Sequence, residues 1–339
     1  MSEGEWLPMV FMGLMGLAIL IYVVLDGYDL GVGILFTGSD EDRNRMVATI
    51  GPFWDANETW LVLGIGILLT AFPKAHGVIL TALYLPVALM LGGLILRGVA
   101  FDFRVKAQAH HQRAWNLAFR GGSLLAALAQ GWMLGAWITG FRNDPLGWAF
   151  AAAIAFGLCA GYALLGAGWV ALKTEGALQR RALSWARRSL WLTALGIVAV
   201  SLATPLVSGR IFDKWFALPQ LLMLAPIPLF TVGLFLLAAL FLRRLEQDAR
   251  HGRTAEVERW CWAPFACGVG IFLLAFYGLA YSMYPYLVVD RLTIWQAASA
   301  PASLKFILVG VVVVLPAILG YTVYAYRVFW GKAKDLSYG

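Results

Sequence analysis

The sequence predicts an all-α integral membrane protein of about nine transmembrane helices, on three observations. Of its 339 residues, 61% are hydrophobic and only 13% are charged, against about 25% charged in an ordinary soluble domain. Apolar runs long enough to cross a bilayer recur along the whole chain, without the alternation of a β-barrel. Lys and Arg collect in every second loop, as the positive-inside rule requires.

The spans fall at about 7–36, 47–72, 75–102, 114–141, 146–172, 184–208, 218–242, 260–286 and 303–330. Several exceed the roughly 20 residues needed to cross, so tilt is expected. The first reads as a span and not as a cleaved signal, because Glu3 and Glu5 precede it where a signal peptide is basic. With the N-terminus outside, 18 basic residues lie on the cytoplasmic side: Arg43, Arg45, Arg104, Lys106, Arg113, Lys173, Arg180, Arg181, Arg187, Arg188, Arg243, Arg244, Arg250, Arg253, Arg259, Arg327, Lys332 and Lys334. Six lie outside: Lys74, Arg142, Arg210, Lys214, Arg291 and Lys305. The formal net charge of +7 therefore belongs to topology and gives no reason to expect nucleic acid.

Span 1 holds Asp26 and Asp29, and span 2 holds Asp55 and Glu58. The three-residue spacing puts each pair on one helix face. An ionised side chain at the bilayer centre costs about 2.5–3.5 kcal/mol on insertion scales, so these four should face protein or water. At 1.5 Å per residue, Asp29 and Asp26 lie about 10 and 15 Å from the inner end of span 1, and Asp55 and Glu58 about 12 and 16 Å from that of span 2. The two pairs thus share a level in the cytoplasmic half. Arg97 and Arg120 sit near the inner ends of spans 3 and 4, and Asp102 marks the end of span 3. Pro52 is expected to kink span 2 one turn before Asp55. Trp54, Asn57, Thr59 and Trp60 surround the acids and can line a polar path or bond helix to helix. Gly27, Gly31, Gly33, Gly64, Gly66, Gly92, Gly93, Gly121 and Gly122 permit close helix approach.

Closely spaced carboxylates in a low dielectric suit reversible protonation, and so a proton relay. The plainer alternative is a set of ion pairs with Arg97 and Arg120 that ties four helices together. The histidines, His76, His110, His111 and His251, all fall in loops, which disfavours a membrane haem ligated by this chain alone. Cys159, Cys261 and Cys267 lack metal-ligand spacing and read as small apolar residues. No phosphate-binding loop and no nucleophile paired with a base is present.

Three stretches stand out: Tyr22-Val23-Val24-Leu25-Asp26-Gly27-Tyr28-Asp29-Leu30-Gly31-Val32-Gly33, Pro52-Phe53-Trp54-Asp55-Ala56-Asn57-Glu58-Thr59-Trp60-Leu61 and Arg97-Gly98-Val99-Ala100-Phe101-Asp102-Phe103-Arg104. They resemble subunit II of the cytochrome bd family of quinol oxidases. Further matches follow in order: Gly121-Gly122-Ser123, Leu172-Lys173-Thr174-Glu175-Gly176, Tyr284-Pro285-Tyr286, 292–299 and 324–332. The Tyr-Val-Val-Leu-Asp-Gly and Leu-Lys-Thr-Glu-Gly forms lean towards the cyanide-insensitive branch.

The resemblance implies two four-helix bundles plus one extra helix, within a single transmembrane domain over 1–339. The first bundle would span about 7–141, the second about 146–286, and the final helix about 303–330. It also implies a bacterial inner (plasma) membrane location, with the N-terminus periplasmic and the C-terminus cytoplasmic. The expected partner is a haem-bearing subunit I that carries haem b558, haem b595, haem d and the quinol site, with no cofactor ligated by this chain. A small single-span accessory subunit, membrane lipid and quinone are further expected partners. The complex would oxidise quinol, reduce dioxygen to water and draw protons from the cytoplasm, in part through Asp55, with Asp26 and Asp29 matching the other embedded acids. Some members carry His where this chain has Phe53, so a path needing an imidazole there would use Glu58 or water instead. Two other readings of the same acids are a proton-coupled secondary transporter and a purely structural membrane subunit. No repeat is evident and the acids lie off the midplane, both unlike a transporter.

Overall fold

A computed structural model describes residues 2–207 and 209–333 of the chain; Ser208, the expected end of span 6, and Lys334, in the charge count above, lie outside the described residues. Fourteen helices follow in order among those residues: α1 (Glu3–Ile34), α2 (Asp40–Ile50), α3 (Trp54–Ala71), α4 (Pro73–Lys106), α5 (Ala109–Ile138), α6 (Pro145–Lys173), α7 (Gly176–Val207), α8 (Gly209–Phe216), α9 (Gln220–Leu224), α10 (Pro226–Arg250), α11 (Thr254–Trp260), α12 (Ala263–Met283), α13 (Ile294–Ala297) and α14 (Pro301–Val328). One small departure from an all-α chain precedes α13. There β1 (Tyr286–Val288) and β2 (Leu292–Thr293) pair antiparallel, with Tyr286 opposite Thr293 and Val288 opposite Leu292.

Seven helical segments among the described residues are long and apolar enough to cross a membrane: α1, α4, α6, α7, α9 with α10, α11 with α12, and α14. The 18-residue α3 and the 30-residue α5 are polar by comparison, and α3 is so because it carries Asp55, Asn57 and Glu58. The expected single span over 47–72 is instead two helices. Gly51, Pro52 and Phe53 form a turn closed by the Phe53 N–H donating to the Ile50 carbonyl (2.9 Å), and α3 starts afresh at Trp54. Proline has no N–H to give and glycine favours no helix, so the break is complete where a kink was expected. α2 is capped by Ser39, whose hydroxyl accepts from the Asp42 N–H (3.2 Å) while Asp42 accepts from the Ser39 N–H (3.0 Å). Asp42 also pairs with Arg181 at the start of α7. That guanidinium, helped by Ser39, lowers the Asp42 carboxyl to about 2.

α1 packs on α3, α5 and α6, and α4 packs on α3 and α5. In the second half α6 packs on α7 and α12, α10 packs on the same two helices, and α14 leans on α1 and α3. Two glycine crossings set these distances. A Cβ on Gly31 would lie 1.8 Å from the Tyr162 carbonyl oxygen, and one on Gly166 would lie 2.3 Å from the Gly31 carbonyl carbon. A Cβ on Gly122 would meet the Gly93 oxygen at 2.6 Å and the Arg97 nitrogen at 2.8 Å. Not every expected glycine contact exists: Gly66, Gly92 and Gly121 face open space.

The end of α14 is clasped to the α6–α7 turn. Buried Lys173 donates to the carbonyls of Phe329 (2.6 Å), Trp330 (2.8 Å) and Gly331 (3.1 Å), the C-cap of that helix and the two residues after it. Lys332 returns the contact, donating to the Thr174 carbonyl (3.1 Å) and pairing with Glu258 (2.5 Å). Two stretches singled out in the sequence, 172–176 and 324–332, thereby meet.

Candidate functional site: a buried carboxylate–guanidinium centre

Arg97 on α4 is 1% exposed, and Asp26 and Asp29 on α1 are fully buried. One guanidinium nitrogen, Nη2, donates to Asp26 Oδ1 at 2.8 Å and also to Glu58 Oε1 on α3. Three helices thus meet at one cation. Glu58 is the more open partner, with its side chain 27% exposed. Ile50, Trp54, Phe101 and Phe119 close over Arg97. Gly122 supplies the clearance that lets the α4 backbone at Arg97 sit against α5.

Asp29 takes no part in that pairing. Its Oδ2 accepts from Nδ2 of buried Asn57 (2.8 Å), which also donates to the Tyr28 hydroxyl (2.9 Å). The Tyr326 hydroxyl from α14 donates to Asn57 Oδ1 (3.1 Å) and lies 2.5 Å from the Tyr28 hydroxyl. A second branch runs from Tyr22, one turn before Asp26. Gln130 on α5 donates to the Tyr22 hydroxyl (2.8 Å) and accepts from the Tyr162 hydroxyl of α6 (2.7 Å). Two carboxyls therefore share one guanidinium nitrogen, while Asp26 Oδ2, Asp29 Oδ1, Arg97 Nε and Arg97 Nη1 have no hydrogen-bond partner among the described residues.

The structure brings together five of the nine residues singled out in the sequence in hydrogen-bonded contact: Asp26, Asp29, Asn57, Glu58 and Arg97. Trp54 stands beside them, half-buried, with its ring 5.0 Å from that of Phe101. Three fall elsewhere. Asp55 is exposed in the first turn of α3, because Asn57, Trp60 and Gly64 are the buried positions of that helix. Arg120 is exposed and makes no ion pair among the described residues; Phe119, Ser123 and Ala126 hold the inward phase of α5. Asp102 is exposed for the same reason on α4, where Arg97, Phe101 and Arg104 turn inward. The expected ion pair with Arg120 is therefore absent, and Arg97 alone supplies the cation. Arg104 is buried and held by Asn116 (2.9 Å) and Asn44 (3.0 Å). Sequence reasoning missed the roles of Tyr22, Tyr28, Gln130, Tyr162 and Tyr326. Gln130 gave the one available signal, a lone amide in an apolar span.

The four histidines occupy helix ends or turns and are exposed or half-buried. Among the described residues no three His, Cys, Asp or Glu side chains are grouped to hold a metal ion.

Fold and site together define a multi-pass α-helical membrane protein built around a buried acid–arginine centre. The family model for cytochrome bd terminal oxidase subunit II matches residues 7–329, and the chain belongs to that family. It is 30% identical to cytochrome bd ubiquinol oxidase subunit 2 of Bacillus subtilis, over 91% of each chain. It is 27% identical to cytochrome bd-I ubiquinol oxidase subunit 2 of Escherichia coli, over 98% of this chain and 96% of that one. A solved structure of the bd oxidase from Geobacillus thermodenitrificans contains a similar chain, with a TM-score of 0.76 at 17% identity, covering 96% of this chain and 99% of that one. That last likeness is one of fold. Membership makes the chain part of a terminal quinol oxidase in a bacterial membrane.

Proposed function

We propose that this chain is the haem-free subunit of the oxidase and delivers cytoplasmic protons to the oxygen-reducing site of a haem-bearing subunit I. The observation that carries the reading is a gradient of access along neighbouring acids. Asp55 is exposed, Glu58 is half-buried one turn on, and Asp26 is fully buried across Arg97 from Glu58. Asp29 lies a turn from Asp26 towards the cytoplasmic end of α1, on Asn57. With all three inner acids ionised beside one guanidinium the centre would carry a formal charge of −2, and taking up protons relieves it. The unused oxygens of Asp26 and Asp29 are the atoms that would receive them.

The remaining expectations fit this reading. α3 and α5 would complete nine spans. The rings of neighbours α1–α3–α4–α5 and α6–α7–α10–α12 support two four-helix bundles, with α14 as the extra helix. The basic ends of α4, α7 and α10 would face the cytoplasm and the N-terminus the periplasm. Haem b558, haem b595 and haem d would reside in subunit I. An accessory single-span subunit, lipid and quinone would contact the apolar outer faces. Family membership leaves the transporter reading without support.

The test uses the purified complex with Asp55→Asn and, separately, Glu58→Gln. Each sample gives a reduced-minus-oxidised haem spectrum and a rate of quinol-driven oxygen uptake. Normal haem content with uptake lowered about tenfold, or about 1.4 kcal/mol in barrier, is the expected result. Wild-type uptake in both variants would overturn the relay and leave an ion-pair scaffold.

A further inference from the structure

Asn57, Tyr28 and Tyr326 close a ring of hydrogen bonds, and its direction follows from donor counting. Tyr326 spends its only proton on Asn57 Oδ1, which cannot donate. The short contact between the two phenols must then be Tyr28 donating to Tyr326. Tyr28 in turn accepts from Asn57 Nδ2 (2.9 Å), whose other proton goes to Asp29 Oδ2 (2.8 Å), with the Leu25 carbonyl a longer third acceptor at 3.4 Å. The ring therefore runs one way, from the amide nitrogen through both hydroxyls and back to the amide oxygen. That direction fits an ionised Asp29, which needs a donor facing it.

The same atoms support the opposite direction. A half-turn of the Asn57 amide puts Oδ1 towards Asp29 and Tyr28, and Nδ2 towards Tyr326. Both hydroxyls then rotate, so that Tyr326 donates to Tyr28 and Tyr28 donates to Asn57 Oδ1. No covalent bond in the ring breaks. The only new proton in the system is one on Asp29, which is required because the amide oxygen now facing it accepts and cannot donate. In the reversed direction both phenols and the amide oxygen stay paired and the amide nitrogen keeps one of its two donors engaged, on Tyr326, whereas a buried group left wholly unpaired would cost about 1–3 kcal/mol.

We propose that this ring is a two-state element coupled to the protonation of Asp29, and that Tyr326, on the final helix, is the positioning residue that closes it. The proposal deepens the relay reading and rests on it for the claim that Asp29 exchanges protons during turnover. The groups facing Asp29 are Asp26 and Tyr28 on α1, Asn57 and Glu58 on α3, Arg97 on α4, and Tyr326 on α14; Gln130 of α5 and Tyr162 of α6 lie on the Tyr22 branch. Only Asn57 hydrogen-bonds Asp29 among the described residues, so Asn57 alone reports the state of that carboxyl to α14. Packing holds the ring in place. Tyr28 stacks on Trp169 (4.2 Å between centroids), Tyr326 stacks on Phe53 (4.5 Å), and the Lys173 clasp fixes the chain three to five residues after Tyr326.

The experiment is infrared redox-difference spectroscopy of the whole complex, following the carboxylic acid C=O stretch that Asp29→Asn removes. Tyr326→Phe is expected to shift that band, because the reversed ring loses the hydroxyl that accepts from Asn57. Tyr28→Phe breaks the same ring from α1 and should shift it too, which keeps the test available if one variant does not assemble. A band unchanged in both variants would overturn the ring, as would the absence of any band lost in Asp29→Asn. Oxygen uptake on the same samples separates the two ideas. A shifted band with wild-type uptake in Asp29→Asn would keep the ring and sink the relay.

Discussion

At Arg97 one guanidinium nitrogen serves two carboxyls from two helices, Asp26 at 2.8 Å and Glu58. Burying ions costs several kcal/mol each, and such a pair is retained only where geometry repays it. Removing one partner is worse than removing both, because it strands the other charge. Arg97→Met is therefore expected to lower the stability of the complex by about 3–5 kcal/mol, read as a fall in yield and melting temperature. A melting curve like that of wild type would contradict the bridging role. Asp26, Asp29, Glu58 and Arg97 were legible in the sequence because charge in an apolar run needs a reason. The exposed placing of Asp55 and Arg120 was not legible, because spacing tells which residues share a face, not which face turns inward. Tyr326 was silent, since a tyrosine near a span end also serves as an interfacial anchor, and Tyr22 and Tyr162 were silent because a tyrosine within a span also serves as ordinary aromatic packing.

Helix crossings fix where those residues stand. The α1–α6 contact at Gly31 and Gly166 has no room for a Cβ, whose nearest neighbour at Gly31 would be backbone, 1.8 Å away. Gly31→Ala should abolish a properly assembled complex, whereas Gly121→Ala, in open space, should leave haem content and yield unchanged. Equal yields of the two variants would contradict the crossing. A second element-level prediction concerns the α2–α7 tie. The Asp42 carboxyl, about 2 when folded against about 3.9 unfolded, adds stability above the unfolded value and loses it as pH falls towards about 2. The stability gap between wild type and Arg181→Gln, measured by melting, should be constant near neutrality and shrink below about pH 4. A gap independent of pH would refute the pairing. The sequence announced the helices by apolar length but not the break at 51–53. Glycine and proline together mark a weak point, and only packing decides between kink and rupture.

On the scale of the whole molecule, the chain keeps its polar network inside and its apolar surface outside. α14 shows Phe306, Val309 and Tyr324 more than 60% exposed while delivering Tyr326 to the centre. Family membership and the all-α membrane class were visible in ordered motifs and apolar runs. The convergence of α1, α3, α4, α5, α6 and α14 on one polar network was not, because contacts between distant segments leave no local pattern. The claim that this network moves protons is tested most directly by proton uptake from bulk solvent, followed with a pH-indicating dye, as the fully reduced complex reacts with dioxygen. In Asp26→Asn, which is isosteric with the wild-type side chain, the account predicts normal haem content and proton uptake slowed at least about tenfold, about 1.4 kcal/mol in barrier. Uptake at the wild-type rate in that variant would contradict it.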